Sequence, residues 1–274
     1  MLWKTSQIVG YSLRATDGAI GAIDDLLFDD REWTVRWVVV DTGTWLPGRK
    51  VLLPPSTFGE ADVLGREIPV DLSRQRIEES PGIESDRPVS RQVEADLYGY
   101  YGAPTYWEAG ARGMPEYIAP AVGDVPPAAP GMAPPDRPEQ HGTATTGPVP
   151  GTRRPPPSGE RQRNPHLRSA KEVIGYYIQA TDGDIGHVED IFVEAETWVI
   201  RYLMVDTRNW WPGRMVLVSA AWASDVSWSE RKVFVDVTRD CVRESPEYHA
   251  GAPVDRAYEE RLHGHYGYPP YWQS

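Results

Sequence analysis

The residue types able to do chemistry form three groups. Asp17, Asp24, Asp25, Asp29 and Asp30 crowd into one short stretch. Carboxylates hold hard cations when loop spacing and a central glycine turn their oxygens onto one point. That spacing is missing here, so the group reads as a solvated acidic face. His263-Gly264-His265, with His249 nearby, offers imidazoles of the kind that ligate transition metals or exchange protons near neutrality. Trp45-Leu46-Pro47-Gly48-Arg49 and Trp210-Trp211-Pro212-Gly213-Arg214 set an indole and a guanidinium on one turn, a pairing common in the centres of protein interfaces. No Gly-x-Gly-x-x-Gly, P-loop or Gly-x-Ser-x-Gly occurs, so phosphate cradling and serine hydrolysis lack their usual marks. No catalytic residue, metal ligand or cofactor is expected.

The elements that carry these groups occur twice. Residues 8–107 align on 173–272 at a constant offset of 165 without a gap, and about 38 of the 100 positions are identical. The two copies test each candidate. Asp24 becomes Glu189, Asp29 becomes Glu194 and Asp30 becomes Ala195, which weakens a shared metal site. His263, His265 and His249 face Tyr98, Tyr100 and Glu84, so aromatic shape recurs and ligand chemistry does not, as in surface packing. The turn does recur. Its structural reading folds the Trp over a barrel mouth and pairs Arg49 with Asp41. Its binding reading makes Trp45, Pro47, Arg49, Trp210, Trp211, Pro212 and Arg214 a docking surface.

Asp17-Gly18 and Asp182-Gly183 sit between apolar segments, where a two-residue turn needs positive φ. Trp33, Val35, Trp37 and Val39 alternate with Thr34, Arg36, Val38 and Val40, and Trp198, Ile200, Tyr202 and Met204 repeat the period. With Gly48 to Leu53, and Ile68, Val70 and Leu72, this predicts six strands per copy in a small antiparallel barrel. Val93, Leu97 and Tyr101, and Tyr258, Leu262 and Tyr266, form the stripe of a short helix. Ser90 or Asp255 begins it and Gly102 or Gly267 ends it. Aromatic tails follow. Tyr106 and Trp107, and Tyr271 and Trp272, either wrap the barrel or meet a partner.

Between the copies, residues 108–170 hold 14 prolines and 8 glycines with few aliphatic groups. Such a segment cannot offset the entropy of ordering, so it is predicted to be a disordered linker. The expected domains are 1–107 and 171–274. Both are acidic, with 11 basic against 17 acidic residues and 10 against 17, within a net charge of -12. That balance argues against phosphate backbones as partners, so nucleic acid is not expected. Cys241 is the one cysteine, which excludes an intrachain disulfide. No signal-peptide pattern follows Met1, and Trp37 to Val40 is far too short to span a bilayer. The expected address is cytoplasmic, with the inner face of a membrane as the alternative.

Asp-Gly-x-Ile-Gly in the first hairpin, then Trp-x-x-Arg, Val-Asp-Thr and Trp-x-Pro-Gly-Arg, resemble the PRC-barrel domain. That family includes the cytoplasmic part of the photosynthetic reaction centre H subunit and the C-terminal domain of a ribosome-maturation factor. The resemblance implies two mainly β, PRC-type barrels, each a non-catalytic module that docks on larger partners. A scaffold with two protein-binding barrels is the leading expectation. A peripheral component of a photosynthetic or electron-transfer complex, and a ribosome or RNA maturation factor, are the alternatives, and a homo-oligomer is compatible with all three.

Overall fold

The structure, a computed structural model, describes residues 1–81, 89–107, 166–207, 214–249 and 251–273. It is mainly β, with two sheet-rich domains that follow the sequence copies. The first copy opens with Leu2–Lys4 (β1) and one turn of helix, Thr5–Ile8 (α1). Ser12–Ala15 (β2), Gly18–Asp29 (β3), Thr34–Asp41 (β4), Lys50–Leu53 (β5) and Glu67–Pro69 (β6) follow, then helices Arg74–Glu78 (α2) and Arg91–Tyr101 (α3). The second copy repeats the order: Leu167–Ser169 (β7), Ala170–Val173 (α4), Tyr177–Ala180 (β8), Gly183–Glu194 (β9), Ile200–Asp206 (β10) and Met215–Ser219 (β11). Ala223–Ser227 (β12), Lys232–Val235 (β13), Arg239–Glu244 (α5) and Arg256–Tyr266 (α6) complete it.

Each sheet is an open ladder, β5-β4-β3-β2-β6 and β11-β10-β9-β8-β13-β12. Pairing is antiparallel except between β2 and β6 and between β8 and β13, which run parallel. Among the described residues the ladder ends do not join, so the expected closed, six-stranded antiparallel barrels are corrected to open sheets with one parallel pair each. The reason lies in the long strands. The N-terminal half of β3 pairs with β2, and β4 covers its opposite edge along most of its length. Beyond β2 the remaining edge of β3 is bare, and a bare edge needs a partner.

The other copy supplies it. Leu27, Phe28 and Asp29 pair with Ser169, Arg168 and Leu167, while Phe192, Val193 and Glu194 pair with Lys4, Trp3 and Leu2. The registers are the same after the offset of 165, so the exchange is reciprocal. The two copies accordingly belong to one compact unit. Thr34 and Val199, equivalent residues, bridge each other where the copies meet. On either side the Val35 amide donates to the Trp198 carbonyl (2.9 Å) and the Ile200 amide to that of Trp33 (2.6 Å). Trp33 and Trp198 both adopt positive φ, 51° and 57°, a conformation costing a bulky residue about 1–2 kcal/mol. Packing holds them there: the Trp33 ring stacks on Phe28 at 5.2 Å. The linker expectation of 108–170 is thereby corrected at its end, because His166 to Ala170 belong to the exchanged segment, with Leu167, Arg168 and Ala170 buried. The remainder of that segment, 108–165, lies outside the described residues.

A bulge between the pairs Leu27–Trp37 and Phe28–Val35 breaks the expected alternation in β4. Val35, Val38 and Val40 join the interior cluster, whereas Trp37 turns beneath α3 and lies 4.5 Å from the Tyr98 ring. The helices follow their caps. Ser90 accepts from the Val93 amide and Asp255 from that of Tyr258, and Gly102 and Gly267 end the helices in the left-handed conformation.

The Asp-Gly-x-Ile-Gly motif has a structural explanation. Asp17 accepts from the Arg74 amide at 2.7 Å and Asp182 from that of Arg239 at 2.7 Å, which ties the hairpin to the start of a short helix. Gly21, at φ 131°, lies so close to β4 that an added Cβ would stand 2.0 Å from the Asp41 carbonyl oxygen. Gly21→Ala is therefore expected to cost at least about 3 kcal/mol, read as a lower urea or thermal midpoint. Gly43→Ala, with φ 56° and open space around it, should cost only about 1–2 kcal/mol. Equal losses would contradict the close-approach explanation.

Candidate functional site

The turn after β4 is built by the side chains that its motif repeats. The Thr42 hydroxyl lies 2.8 Å from the Leu46 carbonyl and 2.6 Å from that of Arg49, closing the loop on itself. Arg49 then reaches the last carbonyls of α2, donating to Glu78 (2.6 Å) and to Ser80. A helix C-terminus leaves carbonyls unpaired and carries partial negative charge, so a guanidinium suits it. The second copy repeats the clamp: Arg214 donates to the carbonyls of Arg243 (2.8 Å) and Ser245 (2.9 Å). The partner expected for Arg49, Asp41, is engaged elsewhere, accepting from the Gly43 amide at 2.9 Å. Trp45 is half-buried, with the Arg74 guanidinium 4.7 Å from its ring, and Pro47 at the tip is exposed. Trp210, Trp211 and Pro212 lie outside the described residues.

The aromatic tail of the second copy ends against its helix. Tyr271 and Trp272 meet edge to face at 4.9 Å, with Arg201 3.9 Å from the Tyr271 ring and Arg256 3.8 Å from that of Trp272. The Tyr271 hydroxyl donates to Glu259 at 2.9 Å. This tail thus lies back on α6 and β10. Tyr106 and Trp107 adopt the same edge-to-face pairing at 4.9 Å and are half-buried.

A buried carboxylate in each copy has no counterpart in the sequence reading. Glu94 and Glu259 sit on the packed faces of α3 and α6, 0% and 4% exposed. Trp37 donates its indole N–H to Glu94 at 3.4 Å, and the Tyr202 hydroxyl donates to Glu259 at 3.0 Å. Burial, reinforced by the Glu259 carboxylate, holds the Tyr202 phenol well above its ordinary range, and Tyr271 is pushed up to about 12 by the same causes. His263 is buried too, with Nε2 3.0 Å from the Tyr202 hydroxyl and its ring 5.6 Å from Trp222. The surface position expected for it is corrected: Tyr202, Trp222 and Trp272 enclose it, and burial lowers its pKa.

The acidic group is not a solvated face either. Asp25 is 8% exposed and accepts from the Ser169 hydroxyl (2.5 Å), the Lys171 amide (3.1 Å) and the Leu26 amide (2.8 Å). Asp190 mirrors it, accepting from the Ser6 hydroxyl (2.5 Å), the Ser6 amide (3.2 Å) and the Ile191 amide (2.8 Å). Desolvation moves the Asp25 pKa upward, against these hydrogen bonds. Asp30 holds Arg168 at 2.5 Å and His166 at 3.0 Å, and Asp24 holds Lys50 and Lys171 at 2.9 and 2.6 Å. Most of these carboxylates fasten one copy to the other. The cross-copy donors lie at Ser6 and in residues 166–171, just before the stretches where the repeat is easily recognised.

Residues 4–76 match the PRC-barrel domain family. This segment is similar to that domain. The second copy shares its element order and strand registers from β8 to β11, and so is a similar β domain beside the first. An uncharacterized protein of Deinococcus radiodurans is 32% identical to the chain over 107 residues, 38% of this chain and 36% of that protein. The chain thus matches little more than a third of that relative's length. Among the described residues no helix is long and apolar enough to cross a membrane.

The clamp makes a measurable difference between a turn built for stability and one built for contact alone. Arg49→Ala leaves helix-end carbonyls of the first copy without their charged donor and is expected to cost about 1.5–3 kcal/mol of unfolding free energy. An unchanged urea midpoint would contradict the structural role of Arg49.

Proposed function

We propose that the protein is a non-enzymatic docking module in which two PRC-barrel-type copies act as one rigid body and present a protein-binding surface at the exposed turn after β4. The PRC-barrel family supports an interaction module, since its domain is in general non-catalytic. The observation that carries the rest is the reciprocal strand exchange. Two barrels free at either end of a linker would have their joint avidity set by linker length. Two copies that complete each other's sheets hold a fixed spacing, so a partner meets them together.

The turn is the favoured contact because Arg49 anchors its base while Pro47 stands exposed at its tip beside the half-buried Trp45. A pre-ordered loop loses little entropy on binding.

Quantitative affinity purification of the full chain from its native cell tests this, with Trp45→Ala/Pro47→Ser as the paired comparison after its fold is verified. The expected result is a protein partner in stoichiometric amount, reduced about tenfold by the double variant, which corresponds to roughly 1.4 kcal/mol. The fraction in which the partner travels, membrane or ribosomal, separates a reaction-centre-like assembly from ribosome maturation. Failure to find a stoichiometric protein partner in any fraction would contradict docking. Undiminished recovery with the variant would contradict the assignment to the turn.

A further inference from the structure

The two copies differ sharply at one corner. In the first, Ala22, Asp24 and Asp41 lie where β3 meets β4, and two lysines, Lys50 and Lys171, neutralise Asp24 at 2.9 and 2.6 Å. In the second, the matching residues are His187, Glu189 and Asp206, and both lysines are gone. Met215 stands opposite Asp206 where Lys50 stands opposite Asp41. Ser6, the counterpart of Lys171, is committed to Asp190. Thus the two lysines at this corner of one copy have no lysine counterpart in the other, which carries an imidazole there.

The geometry that results is a ligand set. His187 and Glu189 lie two apart on β9, where Glu189 is the extra residue of a bulge against β10, and their side chains meet on one side; Asp206 on β10 is the register partner of His187. His187 Nε2 lies 3.5 Å from a Glu189 oxygen and 3.9 Å from a carboxylate oxygen of Asp206, and all three ligand atoms lie within 4.8 Å of one another. Donors at about 2.0–2.2 Å from a tetrahedral Zn2+ stand roughly 3.3–3.6 Å apart, so small side-chain rotations bring the three onto one ion. Their mounting is firm: Gly186, at φ 141°, lets β9 approach so closely that an added Cβ would stand 2.1 Å from the Asp206 carbonyl oxygen. Asp206 is 0% exposed, whereas His187 and Glu189 are 27% and 41% exposed in their side chains. One side of the cluster is therefore rigid and dry and the other opens to solvent, leaving room for a water or a partner's side chain as fourth ligand. One imidazole and two carboxylates suit a borderline divalent ion of the zinc kind better than Ca2+, which prefers oxygen alone.

We propose that His187, Glu189 and Asp206 form a divalent transition-metal site, of the zinc type, that belongs to the second copy alone. A dication at this corner supplies the charge compensation that Lys50 and Lys171 supply in the first copy.

Zn2+ binding to the full chain, followed by calorimetry and by competition against the visible absorption of bound Co2+, provides the test. To separate this site from adventitious uptake elsewhere, the readout is the equivalent lost on mutation. His187→Ala, which installs the first copy's residue, and Met215→Lys, which restores its lysine, should each abolish one Zn2+ equivalent or weaken it by at least about tenfold. Zn2+ should raise the melting temperature of the wild-type chain and of His265→Ala, but not of His187→Ala, because a ligand stabilises only the fold that binds it. Circular dichroism and the metal-free melting temperature confirm that the variants fold. Absence of a Zn2+ equivalent in the wild-type chain overturns the proposal, as does wild-type affinity in folded His187→Ala and Met215→Lys.

Discussion

The long strand β3 and its counterpart β9 each carry more edge than their own copy can cover, and the rest of the architecture depends on how that edge is satisfied. A strand edge in a protein interior cannot leave its amides and carbonyls bare. Here three residues from the start of each copy cross to the other and complete it. Asp25 and Asp190 secure the crossings, each accepting a hydroxyl and an amide hydrogen from the incoming segment. A buried carboxylate with three donors is satisfied, and the same carboxylate without them is costly. The clamp and the ladder therefore stabilise one another, and the two copies form one body.

The repeated motifs serve that body locally. Asp17 and Asp182 join hairpin to helix, Thr42 and Thr207 close the turn after the central strand, and Arg49 and Arg214 bind the helix end. With so many recurring polar residues spent on backbone groups, differences between the copies become the more informative places to look for binding. The side chains of Trp45 and Pro47 lie outside this network of hydrogen bonds. The His187 corner departs from its twin in charge as well as in residue type.

Much of the fold was legible in the sequence because its signals are local. The Asp-Gly turns, the caps Ser90 and Asp255, and the stops Gly102 and Gly267 each act on neighbouring backbone, and they recur in both copies. The exchange was not legible. β1 and β7 are three residues long, which is too short for a period, and the segments share Leu2 and Leu167 but differ as Trp3 to Arg168 and Lys4 to Ser169. Even the clamping hydroxyl comes from different positions, Ser6 in one copy and Ser169 in the other. Asp25 reads as a member of an acidic surface because its cross-copy donors, Ser169 and Lys171, are remote in the chain. Glu94, Glu259 and His263 were hidden for a related reason: a helix stripe drawn through apolar residues alone omits the polar groups buried beside it. The bulge at Trp37 is likewise set by pairing with β3, not by residue alternation within β4.

Amide hydrogen exchange across the junction measures the central claim most directly. The Ala195 amide, in the second copy, donates to the Met1 carbonyl at 2.9 Å, and Leu2 to Lys4 line the strand beside it. In a chain lacking residues 1–6, the exchange account predicts that Ala195 and the neighbouring amides of β9 lose protection, although no residue of the second copy has been altered. Unchanged protection of these amides in the shortened chain would contradict it.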